Sequence, residues 1–208
     1  MATPRGKNRN DDPRARGEER LDDIRRVVLE LVAERGVEGV TIDAIAEAAR
    51  ASKATLYRRW SSKSALVQDA VQMSFAGDPP DDPGDLGSLR TELRIILDRA
   101  AYMLRTNRRL IIALIDGAQR DEMVWSIMRT ETQDNLSGAM QRPLQRAIAR
   151  GEIPPDTNIN LIFEIALPVL LNRAIWNESI DDRYVDFLLD DVLMRLVTSP
   201  GPATVSAR

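Results

Sequence analysis

The segment that decides the fold spans residues 41–66 and reads TIDAIAEAARASKATLYRRWSSKSAL. Short apolar patterns of helical spacing follow Thr41, Ser52 and Ser62. Serine and threonine favour the start of a helix because their side-chain oxygens accept a backbone N–H bond. The breaks between the patterns are very short, so we predict short helices joined by tight turns. Such an arrangement over residues 41–60 is a helix-turn-helix.

A longer apolar stripe precedes this segment and predicts a first helix from Leu21 to Gly36. We expect Gly36 to end it, because glycine adopts the left-handed conformation of a helix cap without strain. The stripe consists of residues that recur at helical spacing, namely Ile24, Val27, Val28, Leu31 and Val32.

The first seventeen residues are polar and predict a flexible N-terminal arm. They mix Pro, Gly and Asn with charges. An inert tail is one interpretation. The other is a basic arm that touches DNA, because Arg5, Lys7 and Arg9 precede the first acidic residue.

The rest of the chain predicts an all-α protein. Residues 77–87 are too rich in Pro, Gly and Asp for helix or strand and predict a linker after a domain at 18–76. Helical patterns fill residues 88–199, including a long one at 121–149, and no strand alternation stands out. Residues 200–208 are expected to form a flexible tail. The pattern favours two all-α domains.

Composition excludes several classes of function. The 208 residues contain neither cysteine nor histidine. This removes disulfides, thiolate and imidazole metal sites, and catalytic sets built on histidine. We expect no metal, no cofactor and no enzyme activity. No apolar run reaches membrane-spanning length and no secretory signal opens the chain. We therefore expect a cytoplasmic protein without a membrane partner.

Charge is distributed unevenly along a chain whose net charge is −3. Residues 1–72 carry a net charge of +2 and residues 73–208 a net charge of −5. Residues 48–68 contain no acid, but they do contain five bases: Arg50, Lys53, Arg58, Arg59 and Lys63. Such a window suits contact with a polyanion such as DNA.

The last helix of the helix-turn-helix has the two sides that DNA recognition requires. Leu56 and Trp60 lie four residues apart and predict the buried side. The outward side could donate to guanine edges or to phosphates. It presents Lys53, Ala54, Tyr57 and Arg58, with Thr55 near its edge. The helix starts at Thr41 and Ser62 direct backbone N–H groups outward, which suits phosphate oxygens.

Two other interpretations remain open at this point. Amphipathic three-helix patterns are common and a run of charge is usually a solvated face, so the chain could be a helical binding module without regulated DNA recognition. An enzyme with paired carboxylates is the second alternative, for instance Glu131 with Asp134 or Asp190 with Asp191. Asp190 and Asp191 would point about 100° apart on a helix, so they could not share a site.

The same residues also resemble a known family. The blocks GVTIDAIAEAA (39–49), SKATLYRRW (52–60) and SKSAL (62–66) are similar to the DNA-binding domain of tetracycline-repressor (TetR-type) regulators. The resemblance extends over residues 18–75. Two positions depart from the pattern: Arg50 stands where the turn usually has glycine, and Trp60 stands where phenylalanine is usual.

The resemblance implies a homodimer that binds double-stranded DNA at a palindromic operator. By position, Thr41, Tyr57 and Lys63, together with the helix start at Ser62, correspond to phosphate contacts. Residues Lys53, Ala54, Thr55 and Arg58 correspond to the residues that face bases. Asp43 is interpreted mainly as a helix-start residue, although an acid there could repel phosphate or accept a bond from cytosine N4.

Residues 158–198 are the most apolar part of the chain and predict the dimer interface. They form two helical patterns that are apolar around more than half of their girth, so they must cover two surfaces. One surface is the domain core, and the other is a partner subunit in a four-helix interface. Burial within a larger monomer core is the alternative.

The resemblance also implies a small-molecule effector, which we expect to be apolar. Candidate lining residues are Tyr102, Met103, Trp125, Met128 and Phe163, because polarizable and aromatic groups suit such a ligand. Each of them could equally be an ordinary core residue. The expected function is a ligand-responsive transcriptional repressor. A transcriptional activator of the same fold is the alternative.

Overall fold

A computed structural model describes residues 13–76, 82–130 and 137–198 of the chain. Within these ranges the regular secondary structure is helical and no β-strand occurs, so the predicted all-α class is confirmed. No helix in the described ranges combines the length and apolar character that crossing a bilayer requires. The helices in chain order are α1 (Pro13–Gly39), α2 (Ile42–Ala48), α3 (Lys53–Arg59), α4 (Lys63–Ala76), α5 (Leu89–Thr106), α6 (Arg108–Ala118), α7 (Glu122–Arg129), α8 (Ser137–Arg150), α9 (Ile159–Ile175), α10 (Asp182–Phe187), a π-helical segment (Leu188–Leu193) and α11 (Met194–Thr198).

Two boundaries differ from the sequence-based expectation. Helix α1 begins at Pro13, so the last five residues of the expected arm are helical, and residues 1–12 lie outside the described part. The single long helix expected at 121–149 corresponds to α7 and α8, and residues 131–136 between them are not described. Residues 82–87 of the expected linker contain no helix, and its first five residues also lie outside the described part.

The chain forms two compact units. The first, here called the reading unit, contains the residues up to Ser74 together with Ala113–Ile127. The second, the C-terminal unit, contains Phe75–Ile112 and the residues from Met128 onward. This division differs from the expected one, which placed all of 88–199 in a single C-terminal domain.

The core of the reading unit forms where α1 to α4 turn their apolar sides inward. Its buried residues include Ile24, Val28, Leu31, Val32, Ile45, Leu56, Leu66, Val67 and Val71. Gly36 interrupts α1 with φ 72° and ψ 166°, a conformation open essentially only to glycine. The chain then resumes its helical path, so that Val37 becomes buried.

The end of α6 belongs to the reading unit because it packs closely on the residue after this break. A methyl group built on Gly117 would lie 2.9 Å from Val37 Cγ2 and 3.6 Å from Val124 Cγ1. The backbone at Gly117 therefore sits at a distance that only glycine permits. Sequence patterns indicated the helix but not this contact, which joins parts of the chain eighty residues apart.

The C-terminal unit contains a buried charge network. Glu92 of α5 is completely buried, and its carboxylate accepts hydrogen bonds from Arg146 of α8 at 2.8 Å and from the backbone N–H of Leu86 at 3.1 Å. Arg146 also donates to both carboxylate oxygens of Asp82, at 2.6 and 2.7 Å. A buried charge requires such partners. The network ties residues 82–87 to α5 and α8.

Helix α9 buries only one of its apolar stripes within its own chain. Ile162, Ala166, Leu170 and Ala174 are buried and recur every four residues. Val185, Leu188, Leu189, Leu193 and Val197 are buried as well. The other apolar side chains of α9 and of residues 182–198 are half-buried or exposed. They include Phe163, Leu167, Leu171, Ile175, Trp176, Phe187 and Leu196.

Candidate DNA-binding site

Three hydroxyl side chains cap the helices of the helix-turn-helix and of α4. Thr41 Oγ1 accepts the Ala44 N–H at 3.2 Å, and Ser62 Oγ accepts the Ala65 N–H at 3.1 Å. Ser52 Oγ accepts the N–H of Thr55 at 3.0 Å. Each oxygen satisfies one free donor of a helix terminus and keeps its own O–H proton. That proton is available to a phosphate oxygen at Thr41 and at Ser62.

The turn between α2 and α3 closes with an arginine in the left-handed conformation. Arg50 has φ 49°. The backbone N–H of Ala51 donates to Ala46 at 2.9 Å, and that of Arg50 donates to Glu47 at 3.1 Å, the pattern of a Schellman cap. The side chain of Arg20 donates to the carbonyl of Arg50 at 3.1 Å. The departure from glycine at this position is thus accommodated as strain in the turn.

The recognition helix α3 has one buried side and one open side. Leu56 is buried beneath it, and Trp60 is buried just beyond its end. Lys53, Ala54, Tyr57 and Arg58 are exposed, and Thr55 is half-buried. These exposures agree with the outward face expected from the sequence, and contact of that face with bases stays a prediction.

Lys53 forms an ion pair with Asp43, which sequence reasoning missed. Its ammonium group meets the Asp43 carboxylate, and this contact raises the pKa of Lys53. Asp43 lies in the first turn of α2 and Lys53 is the first residue of α3, so the pair bridges the two helices. The sequence showed both residues, but their distance depends on the angle between the helices.

Lys63 is turned partly toward its own chain. Its side chain is half-buried, and Nζ donates to the backbone carbonyl of Val37 at 3.3 Å. An ammonium group has three N–H donors, so two remain for other acceptors. Lys63 therefore fits a phosphate contact at the start of α4 only through those remaining donors.

Trp60 takes part in a polar network that the sequence did not indicate. Its indole N–H donates to Asp69 of α4 at 2.9 Å. The same carboxylate oxygen accepts from Arg25 of α1 at 2.9 Å, which raises the pKa of Arg25. Arg25 also donates to Asp22 at 2.7 Å. Phenylalanine could not donate this bond, so tryptophan here does more than fill a larger pocket.

The five residues expected to line an effector pocket differ in their exposure within the single chain. Tyr102 is 59 % exposed and Trp125 is 46 % exposed. Met103, Met128 and Phe163 are half-buried. A recess of about 360 Å³ lies instead between α8 and the start of α9 and contains none of the five. Its lining is mainly polar: Gln141, Gln145, Thr157, Asn158, Ile159 and Asn160.

Comparison with known protein families accounts for most of the chain. The family described as "Bacterial regulatory proteins, tetR family" matches residues 24–70, which contain the helix-turn-helix. The family described as "Tetracyclin repressor-like, C-terminal domain" matches residues 83–192. The two matches do not overlap, and residues 71–82 lie between them.

Individual proteins agree with this result. The chain is 34 % identical to the "DNA-binding transcriptional repressor TetR" of Mycobacteroides abscessus over 190 residues, which cover 90 % of this chain and 98 % of the relative. It is 28 % identical to the HTH-type transcriptional regulator YdeS of Bacillus subtilis, over 82 % of this chain and 88 % of that protein.

Solved structures show the same fold. The TetR-family transcription regulator SCO0332 superposes with a TM-score of 0.60 at 25 % identity, over 84 % of this chain and 97 % of that one. The TetR-family regulator PfmR of Thermus thermophilus gives a TM-score of 0.64 at 18 % identity, over 80 % and 96 %. Matches to the two domain families and to a 34 % identical regulator over nearly the whole chain lead to one conclusion. The chain belongs to the TetR family of DNA-binding transcriptional regulators, which are not enzymes.

Proposed function

We propose that the protein is a homodimeric repressor that binds a palindromic operator and leaves it when a small effector binds. The observation that carries the DNA-binding part is the outward side of α3. Arg58 and Arg59 are exposed there, and neither side chain pairs with another residue of the described ranges. Unpaired cations on an exposed recognition helix are available to phosphates and base edges.

Each exposed residue of the site has a role in this proposal. Lys53 and Arg58 donate to base edges, and guanine O6 and N7 are their best acceptors. Ala54 keeps the helix close to the groove, and Thr55 faces the bases beside it. Phosphates are held by hydroxyl, ammonium and backbone N–H donors at Thr41, Tyr57, Ser62 and Lys63.

A second subunit supplies the symmetry that a palindrome requires. The apolar surface left open on α9 and on α10–α11 supports dimerisation through residues 158–198. Trp176, 71 % exposed, and Phe187 lie on that surface. Large exposed apolar side chains are typical of protein interfaces.

Repression is favoured over activation because the relative from Mycobacteroides abscessus is named a DNA-binding transcriptional repressor. An effector would release such a protein only if it binds the DNA-free state more tightly, and a coupling of about 1–3 kcal/mol weakens DNA binding roughly 5- to 150-fold. Tyr102, Met103, Met128 and Phe163, together with Trp125, remain the residues proposed to contact it. A regulator that binds bacterial chromosomal DNA works in the cytoplasm.

Selection of bound sequences from random duplex DNA at about 0.15 M salt tests this function. We expect a palindromic consensus, and we expect Tyr57→Ala and Lys63→Ala to weaken its binding without changing the selected sequence. Arg58→Ala should change the sequence itself, and Arg90→Ala, which removes the same charge from the C-terminal unit, is its matched control. A folded protein that enriches no sequence contradicts the proposal and leaves a binding module without DNA recognition.

Transcription from a promoter that carries the selected operator separates the two kinds of regulator. Addition of the protein should lower transcript levels in a purified system. A rise in transcript levels would identify an activator of the same fold.

A further inference from the structure

An acidic side chain stands on the surface that the proposed function assigns to DNA. Asp43 follows the N-cap Thr41 by two residues and lies in the first turn of α2. Its side chain is 70 % exposed, and that of its partner Lys53 is 58 % exposed. A carboxylate close to phosphates is unfavourable, because like charges repel across a short distance. Its presence there calls for an explanation.

Stabilisation of α2 explains only part of it. An acid in the first turn of a helix interacts favourably with the helix dipole. That gain does not require the carboxylate to meet Lys53. Lys53 itself begins α3, at the positive end of that helix, where a cation is disfavoured. The pair therefore compensates the one basic residue of the outward face that the helix dipole opposes.

The pair also changes how Lys53 can meet DNA. To contact a phosphate or a base, the ammonium group must leave Asp43 or share it. A diffuse phosphate field acts at any DNA sequence, whereas guanine offers two acceptors at one fixed position. An exposed ion pair contributes little because water screens it, so a matching base can displace it. Competition from Asp43 therefore weakens phosphate contacts of Lys53, which carry no sequence information, more than it weakens a contact with a matching base.

We propose that Asp43 is a specificity-determining residue, which restrains Lys53 and so weakens binding to non-operator DNA more than binding to the operator. The inference rests on the proposed function, because it assumes that α3 faces DNA. Asp43 is then a positioning residue that acts through Lys53, and the ligand that it discriminates against is the phosphate backbone of duplex DNA.

The test measures binding of the full chain to the selected operator and to a random duplex of equal length, over a series of salt concentrations. For Asp43→Asn we expect about 3- to 10-fold tighter binding to the random duplex, and a salt slope steeper by about one unit as Lys53 turns to a phosphate. Operator binding should change less, so the ratio of the two affinities falls.

Asp23→Asn is the control for net charge. Asp23 is also paired with an exposed arginine, Arg26 at 2.8 Å, on α1. The proposal requires the effect of Asp43→Asn to exceed that of Asp23→Asn. It also requires the effect of Asp43→Asn on binding to fall by at least half in a Lys53→Ala background, because Asp43 acts through that side chain.

The other outcomes each exclude something definite. Equal effects of the two aspartate substitutions, or an effect that persists in full without Lys53, overturn the inference and leave the proposed function intact. Weaker operator binding with lost preference at one base pair would make Asp43 a reader of cytosine and also overturn it. A wild-type protein that does not distinguish the two duplexes contradicts the proposed function itself, and the inference with it.

Discussion

The exposed arginines of the recognition helix and the arginines of the C-terminal unit have different surroundings. In the C-terminal unit, Arg90, Arg94 and Arg146 are all ion-paired, Arg146 with a buried glutamate. In the acid-free window of the reading unit, Arg58 and Arg59 are exposed and have no partner in the part of the chain that the structure describes. Residue type alone therefore does not distinguish an arginine paired within the fold from one that is free to contact DNA. The positions of the acids decide which it is.

The largest effect should come from removing the acid at the centre of the C-terminal network. Glu92→Leu keeps the volume but leaves the half-buried guanidinium of Arg146 without one of its two carboxylates, and we expect the free energy of unfolding in urea to fall by about 3 kcal/mol. Asp190→Leu breaks an exposed pair with Arg90 and should cost less than about 1 kcal/mol. Equal losses would show that burial does not distinguish the two pairs.

Removing an unpaired arginine from the reading unit should weaken operator binding without lowering the free energy of unfolding. Arg58→Ala removes an unpaired cation from α3, and we expect operator binding to weaken by about 1–3 kcal/mol, roughly 5- to 150-fold, measured by fluorescence anisotropy. Arg90→Ala in the other unit removes the same charge. If it weakened operator binding equally, net charge rather than the face of α3 would govern the interaction.

Low pH should reduce the stability of the C-terminal unit through protonation of Asp82. The hydrogen bonds from Arg146 lower the pKa of Asp82 in the folded protein. A carboxyl group whose pKa is lower in the folded protein stabilises the fold at pH values above its ordinary pKa of about 3.9. This stabilisation is lost as the pH falls through the pKa that the group has in the folded protein. Asp82→Asn should therefore cost about 1–2 kcal/mol at pH 7 and progressively less below about pH 4.

Urea titrations of Asp82→Asn at several pH values measure this difference. Asp23→Asn, which alters an exposed pair in the reading unit, is the matched control and should change little with pH. A penalty for Asp82→Asn that stays constant down to pH 3 would contradict the assigned role of the pair.

The smallest effect concerns the strained turn of the reading unit. Arg50→Gly removes the steric cost of a left-handed residue and should stabilise the protein by about 1 kcal/mol. Arg50→Ala deletes the same side chain but keeps Cβ, so its thermal midpoint should stay near that of the wild type. If both variants were stabilised equally, the charge of Arg50 and not its backbone would be responsible.

Local signals in the sequence predicted local structure well. Thr41, Ser52 and Ser62 mark helix starts because capping needs only neighbouring residues. The left-handed backbone at Arg50 lies where the resemblance to TetR-type regulators leads one to expect glycine. The burial of Leu56 and Trp60 followed from their spacing.

Contacts between distant segments could not be predicted in this way. The Asp43–Lys53 pair and the bond from Trp60 to Asp69 depend on the angles between helices, which no pattern within one helix encodes. The approach of Gly117 to Val37 joins parts of the chain that the sequence assigned to different domains. The exposure of Tyr102 and Trp125 could not be predicted either, because apolar character does not indicate which side of a helix a neighbour covers.

The bond between the Trp60 indole and Asp69 also has an optical consequence. Of the three tryptophans, Trp60 is buried in the reading unit, whereas Trp125 and Trp176 are exposed. Replacing the two exposed residues with phenylalanine would leave Trp60 as the single tryptophan, buried beside the recognition helix and hydrogen-bonded to the carboxylate of Asp69. Its emission would then report on the packing of that helix alone, so that unfolding of the reading unit could be followed separately from unfolding of the rest of the protein.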